Sequence, residues 1–407
     1  MPALCAFGVL MHEAHLYQKL ENNTVKCALC NHRCTIQEGK HGICGVRLNE
    51  NGVLYAGTYG KISSEAVDPI EKKPLFHYLP GTLSYSLGSI GCNFHCQHCQ
   101  NWHISRASFE DASLHSLSPE EGVRRAIESG SASIAWTYNE PAIWHEYPLD
   151  MGTLALRKGL GTVYVTNGYI TEEGLRELSP MLDAYRVDIK AFTEDFYKKI
   201  CGARLQPVLD STALARELGM HVETVTLVIP GLNDSTEEME LLIRWVIEHL
   251  GPATPMHFSA FHPDYKMTDR GVTPLATLEK IYNLAKKLGL RYPYLGNVYN
   301  HRYENTYCPA CGATLIERQG FSSTIKKLDG QQCILFRIPF GQPVRTDCIV
   351  SHEPEVAAEC AQHAIGDESR FRNWFLTHAS RSRSSHHSSY TAVRQVFLWC
   401  WKIPVVR

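Results

Sequence analysis

The chain has 407 residues, with 40 Lys and Arg against 42 Asp and Glu, a formal net charge of -2. That balance gives no broad attraction for nucleic acid or an anionic membrane surface. No uninterrupted apolar run is long enough to span a bilayer, and residues 1–10 lack the charged start and cleavage site of a secretory leader. The length suits one large α/β domain with small appendages. Many of the 15 Cys cluster at 27–44, 92–99 and 308–333. Such clustering favours metal sites in a reducing compartment over a disulfide framework, so the chain reads as cytoplasmic.

Four regions are expected: 1–80, 81–296, 297–340 and 341–407. The first holds Cys27-x2-Cys30-x3-Cys34-x9-Cys44, with His32 inside and Gly39, Gly42 and Gly45 permitting tight turns. Four thiolates make a complete site, for either a structural zinc or an iron–sulfur cluster. Buried reduced thiols are the plain alternative.

Region 81–296 alternates strand and helix signals. Apolar strand-like runs lie at 84–90, 132–136, 162–166, 184–189, 222–229 and 256–261, with a candidate seventh at 292–295. Ser118-Pro119-Glu120-Glu121 reads as a capping box, and Thr273-Pro274 as a similar helix start. Acidic first turns at Glu172-Glu173 and Glu237-Glu238 follow Thr171 and Ser235-Thr236. Short-linked alternation gives a parallel sheet covered by helices, with ligands at the C-terminal strand ends. A flat doubly wound sheet would produce the same string.

Directly after the first run comes Gly91-Cys92-Asn93-Phe94-His95-Cys96-Gln97-His98-Cys99. Three thiolates on one loop can hold three irons of a [4Fe-4S] cluster and leave the fourth without a protein ligand. A complete relay site would offer four. A zinc knuckle using His95 or His98 is the rival, but such sites usually pair two Cys-x2-4-Cys units. Later strand ends carry further polar groups. Glu140, in Thr137-Tyr138-Asn139-Glu140-Pro141, could accept from an ammonium group. Thr166 and Asn167 could bond a ribose or carboxylate, although Asn-Gly is also a turn dipeptide. Asp188 and Lys190, two apart on an extended chain, share a side. His257, Ser259 and Phe261 share one face of the sixth run, and His262, Asp264 and Tyr265 follow it.

The three-cysteine spacing resembles the signature of the radical S-adenosylmethionine (SAM) superfamily. Together with Asp68-Pro69-Ile70-Glu71-Lys72-Lys73-Pro74-Leu75-Phe76-His77, Phe261-His262-Pro263-Asp264-Tyr265 and Glu304-Asn305-Thr306-Tyr307-Cys308, the wording resembles the AmmeMemoRadiSam-system radical SAM enzymes. These are relatives of pyruvate formate-lyase activating enzyme, and the likeness spans about residues 11–338. On that likeness Met11 is read as the start. The resemblance implies an α/β partial (β/α)6 barrel with Cys-rich N-terminal and C-terminal appendages. It also implies SAM and a [4Fe-4S] cluster that cleaves it reductively to a 5′-deoxyadenosyl radical. Cys92, Cys96 and Cys99 would hold the cluster, Glu140 the amino group of methionine, and Asn167, Asp188, Lys190 and His257 other parts of SAM. His262, Asp264 and Tyr265 would face an unknown small-molecule or protein substrate. Tyr138-Asn139 replaces the Gly-Gly usual before Glu-Pro, which leaves less room for close backbone approach. A small electron-donor protein of flavodoxin or ferredoxin type is the expected partner.

Cys308 and Cys311 form half of a rubredoxin-like knuckle. The usual second pair is reduced to Cys333, and Cys348 has the wrong spacing, so this is at most a partial zinc site. Region 341–407 is rich in Ser, His and Arg around 380–389 and reads as a disordered or atypical tail. Two alternatives remain at this point: a narrower one, an activase that places a glycyl radical on a partner protein, and a rival of another class, a non-redox zinc module that binds protein or nucleic acid.

Overall fold

The computed structural model describes residues 12–299, 301–329 and 332–333. The expectations for residues 341–407, including Cys348, lie outside the described residues, as does the Cys333 side chain. Among the described residues, no helix is long and apolar enough to cross a membrane.

One eight-stranded sheet organises the molecule. Strand β1 (Ser64–Pro69) runs antiparallel to β2 (Leu83–Gly88). Helix α1 (Pro119–Glu128) leads to β3 (Ser133–Trp136), α2 (Glu146–Arg157) to β4 (Gly161–Thr166), and α3 (Glu172–Leu178) to β5 (Ala184–Asp188). Helix α4 (Gln206–Glu217) leads to β6 (His221–Val228), α5 (Thr236–His249) to β7 (Met256–Ala260), and α6 (Leu275–Leu288) to β8 (Pro293–Gly296). From β3 onward each strand pairs in parallel with its predecessor, in strict chain order.

A doubly wound sheet needs a reversal of strand order, and there is none here. With right-handed crossovers, an unreversed order puts every helix on one face and lets the sheet curl. Packing agrees. Ala126, Met151, Leu175, Val208, Met239 and Ile281 come from six helices and share one core with Leu87, Trp136, Tyr164, Val187 and Phe258 of the strands. The fold is therefore α/β, a partial barrel of six strand–helix units closing on the seventh parallel strand. Edges β1 and β8 do not pair, so the barrel stays open.

The other sheet face carries smaller and more polar residues, among them Ser86, Ala135, Val163, Arg186 and Glu223. Its N-terminal end is plugged by the chain after β1. Ile70, Leu75 and Tyr78 pack on Ala135, Val163 and Ala184, and Phe76 packs with Tyr292 and Tyr294. The boundary expected at residue 80 thus moves. Residues 64–80 supply an edge strand and the barrel plug, so they belong to the barrel. The appendage after β8 docks on the plug. Buried Arg318 donates to the Phe76 carbonyl at 2.6 Å and the Glu304 carbonyl at 2.9 Å.

Helix starts follow side-chain chemistry. Ser118, Thr171 and Ser235 each accept from the backbone N–H three residues on. Thr273 does not cap α6. Its hydroxyl donates to the Val228 carbonyl and accepts from the Phe261 N–H, tying the ends of β6 and β7 together.

Candidate active site

The cysteine loop leaves the C-terminal end of β2. Gly91 opens it at φ +82, where a Cβ would come 2.6 Å from the Cys44 carbonyl oxygen, so only glycine fits. Asn139 fixes the same bend from the side. Its amide donates to the Ile90 and Gly91 carbonyls, and its oxygen accepts from the Ser89 N–H. Farther on, the N–H groups of His95 and Gln97 donate to the carbonyls of Cys201 and Ile200. Arg106 donates to the carbonyls of Cys92 and Phe94. The loop is held through its backbone on three sides, and Cys92, Cys96 and Cys99 form no disulfide.

The donor set fits a cluster better than a single ion. A tetrahedral thiolate site with Zn–S of about 2.3 Å needs sulfurs closer than about 4 Å to one another. Among the described residues, the one trio of His, Cys, Asp or Glu with ligand atoms within 4.8 Å of one another lies elsewhere. Neither His95, which is exposed, nor His98, which is buried, stands in such a trio with the loop thiols. Around the loop, donors face sulfur. The Phe94 N–H points at Cys92 Sγ at 3.3 Å, and Asn167 Nδ2 lies 3.8 Å from the same atom.

Glu140 ends the turn after β3 and is buried. Oε1 accepts from the Thr166 hydroxyl at 2.6 Å and the Ala142 N–H at 2.9 Å, while Oε2 accepts from the Asn167 N–H at 2.7 Å. A carboxylate offers about four lone-pair sites, so one on Oε2 is left. Burial pushes the carboxyl up to about 7 against the pull of those bonds. Asn167 faces the cysteine loop rather than open space. Nδ2 donates to Asn93 Oδ1 at 2.7 Å, and its own oxygen accepts from the Tyr169 N–H. To touch SAM, Thr166 and Asn167 would have to exchange these bonds.

Asp188 and Lys190 do share the inner face, 3.2 Å apart, and Arg186 joins them at 2.6 Å from the other carboxylate oxygen. Sequence reading missed Arg186, although its spacing of two from Asp188 was the available signal. The trio carries one excess positive charge. A second such group lies on β1 and β2. Asp68 accepts from Lys72, Lys73 and the Tyr138 hydroxyl, and buried Lys73 also donates to Ser86. Burial opposes ionisation of Asp68, but these three donors hold it well below the usual carboxylate range. Tyr138 reaches inward from a left-handed backbone at φ +73. Gly88 makes room for it, since a Cβ there would lie 2.9 Å from the ring. The tyrosine that replaces a glycine thus fills the barrel wall.

His257 is placed differently from expectation. It sits second in β7, near the N-terminal end, 1% exposed, and Nε2 bonds Glu223 Oε2 at 2.8 Å. Glu223 also accepts from His221 Nε2 and from the backbone N–H groups of Phe76 and His77. His257 therefore belongs to the barrel plug, away from the C-terminal strand ends where SAM would lie. The spacing of Ser259 and Phe261 gave its face but not its depth.

His262, Asp264 and Tyr265 lie on a turn beside the cysteine loop. His262 contacts the Gln100 amide, Tyr265 stacks on Trp102 with centroids 5.2 Å apart, and the Lys266 N–H donates to the Gln97 carbonyl. Asp264 Oδ1 accepts from the Tyr265 N–H. Of the accessory cysteines, Cys27, Cys30, Cys34 and Cys44 converge around Gly42 and Ile143. Cys308 and Cys311 pack with Leu315 and Ile316.

With this geometry described, comparison with known proteins decides the family. Residues 87–246 match the model of the Radical SAM superfamily. The uncharacterized protein MJ0808 of Methanocaldococcus jannaschii is 49% identical over 319 residues, 78% of this chain and 95% of that protein. The chain belongs to the radical SAM superfamily. Membership implies a [4Fe-4S] cluster and SAM, and superfamily members are generally enzymes that take an electron from a donor. Pyruvate formate-lyase-activating enzyme of Clostridium pasteurianum is 21% identical over 218 residues, 49% of this chain and 88% of that one. A solved domain of pyruvate-formate lyase-activating enzyme from Bacteroides vulgatus aligns with TM-score 0.37 at 15% identity, over 41% of this chain and 100% of that one.

Proposed function

We propose that Cys92, Cys96 and Cys99 hold the [4Fe-4S] cluster, and that the strand ends beside it bind SAM for hydrogen abstraction from a substrate over the barrel interior. The observation that carries this reading is the three-cysteine loop whose Cys92 lies beside Asn167 and Glu140, a buried carboxyl with one acceptor site left. When bound, the cluster and SAM supply a 5′-deoxyadenosyl radical through one-electron cleavage of the sulfonium S–C5′ bond. Glu140 receives the methionine ammonium group on Oε2, and its bonds to Thr166, Asn167 and Ala142 fix its direction. Asn167 orients the loop through Asn93 and Cys92. The Trp102–Tyr265 stack stands beside the loop.

One charge group favours an anionic substrate. On the inner face Arg186 and Lys190 exceed Asp188 by one charge. Buried Lys73 balances Asp68, and Lys72 on the same carboxylate is exposed. The likeness to the Clostridium pasteurianum activating enzyme keeps a protein glycine as a second substrate reading, and the sequence wording keeps the AmmeMemoRadiSam-system assignment. For the array of Cys27, Cys30, Cys34 and Cys44 we favour a second iron–sulfur cluster, because no three of these thiols stand close enough together for a compact zinc site. A one-electron donor of flavodoxin or ferredoxin type would serve both readings.

Anaerobic protein reconstituted with iron and sulfide, then given SAM and dithionite, should release 5′-deoxyadenosine. Cys96→Ala should abolish release. A preparation that takes up zinc alone, with no sulfide, would sink the proposal.

A further inference from the structure

A second group of potential ligands lies away from the strand ends, at the seam between the N-terminal module and the barrel. His15 comes from the module, His145 from the residue before α2, and Glu177 from the last turn of α3. Glu177 Oε1 is 2.9 Å from His15 Nδ1, and Oε2 is 2.8 Å from His145 Nε2. All three ligand atoms lie within 4.8 Å of one another. Their side chains are 43%, 0% and 32% exposed for His15, His145 and Glu177, so the group opens to solvent on the His15 side.

The three residues sit on a rigid frame. The His15 N–H donates to Glu146 Oε1, and its carbonyl accepts from Arg47, whose guanidinium forks onto the same buried Glu146. The Thr171 cap of α3 donates to the carbonyls of Ala28 and Leu29. His145 Nδ1 is buried without a hydrogen-bond partner, so the packing leaves Nε2 as the imidazole's one polar contact.

We propose that His15, His145 and Glu177 bind a divalent transition-metal ion of the zinc class, with at least one coordination position left to water. Two imidazole nitrogens and one carboxylate form a borderline donor set suited to zinc, cobalt or nickel. Three protein ligands plus an open position is the arrangement of reactive rather than structural zinc sites. The two imidazoles bond different oxygens of Glu177, so a tetrahedral ion with bonds of about 2.0–2.1 Å would replace both bonds and bring ligand atoms now within 4.8 Å of one another to about 3.4 Å apart. Exposed His15 can move that far, while buried His145 stays fixed. The proposal does not depend on the radical chemistry proposed above.

The test uses the full chain with its iron–sulfur sites assembled anaerobically, so that the cysteines are occupied before metal is added. Cobalt(II) is titrated in, and bound cobalt per chain and the visible spectrum are recorded. One equivalent should bind with ligand-field bands but without thiolate charge-transfer absorption. Glu177→Gln and His15→Ala should each weaken that binding by more than about tenfold, given that even outer-shell partners carry about 10–100-fold. Both side chains are partly exposed, and unchanged cluster absorbance would report intact protein in either variant. Wild-type protein that binds no such cobalt would overturn the site and leave a hydrogen-bonded triad. So would binding by both variants as tight as that of the wild type.

Discussion

The carbonyl oxygen of Cys44 occupies the space a side chain on Gly91 would need, 2.6 Å from its Cβ position. The two cysteine groups, 47 positions apart along the chain from Cys44 to Gly91, therefore touch through backbone. Val46, Ile90 and Ile143 pack the same junction, and His32 Nε2 contacts the Asn93 carbonyl at 2.8 Å. Gly91→Ala forces either a clash or a shift of one loop. It also puts a Cβ on a left-handed backbone, which costs about 1–2 kcal/mol by itself. A lower melting temperature is expected, with reduced iron content at both sites, read by calorimetry and iron analysis.

Glu140 governs how SAM binding responds to pH. Burial raises its carboxyl to about 7 in the free protein, and an ammonium ligand needs it ionised. SAM affinity should rise between roughly pH 6 and 8 and then level off. Glu140→Gln should bind SAM weakly at every pH and lose that slope. Equilibrium binding at several pH values measures both. The same shift enters stability with the opposite sign. The native state holds the proton more tightly than the unfolded chain, so this group lowers stability as pH rises through the window from 4.5 to about 7.

Glu223 behaves in the other direction. Burial alone would raise its carboxyl, but His221, His257 and two backbone N–H groups hold it well below the usual range. Its contribution is present above the ordinary carboxylate range and is lost as pH falls toward its folded value. Glu223→Gln should remove this acid limb and destabilise the barrel plug by about 3 kcal/mol at neutral pH, measured by urea unfolding at neutral pH and at pH values below the ordinary carboxylate range. The cluster loop should keep its iron, because the substitution lies at the opposite end of the strands.

The four-cysteine array gives a count. With a second cluster present, iron should fall from about eight to about four per chain in Cys30→Ala. The same variant should lose zinc and no iron if the array holds zinc. Elemental analysis after anaerobic reconstitution separates the outcomes.

Arg318 ties the C-terminal appendage to the plug. It is fully buried, lies over the Phe76 ring at 4.1 Å and donates to the Thr306 hydroxyl at 2.8 Å. Arg318→Ala should cost about 1–3 kcal/mol by leaving buried carbonyls without donors. Proteolysis around residues 304–318 should then become faster.

Short-range chemistry was legible from the chain. The cysteine spacing, six strand positions, the cap at Ser118 and the helix starts after Thr171 and Ser235 depend on neighbours within a few residues, so sequence alone determined them. The seventh strand was legible for the same reason. Long-range pairing decided the rest. Periodicity cannot distinguish a flat sheet from a barrel, because both use the same alternating residues; only the unreversed strand order does. His257 had the right face but lay too deep, since depth is set by register with β6 and by Glu223. Arg186 and Tyr138 acquired their roles from a shared interior. His15, His145 and Glu177 are 162 positions apart at the extremes, and no local pattern joins them. The sequence determined which residues carry the chemistry of the cysteine loop. The tertiary structure decided which distant side chains meet, because burial and closure act between segments that have no contact along the chain.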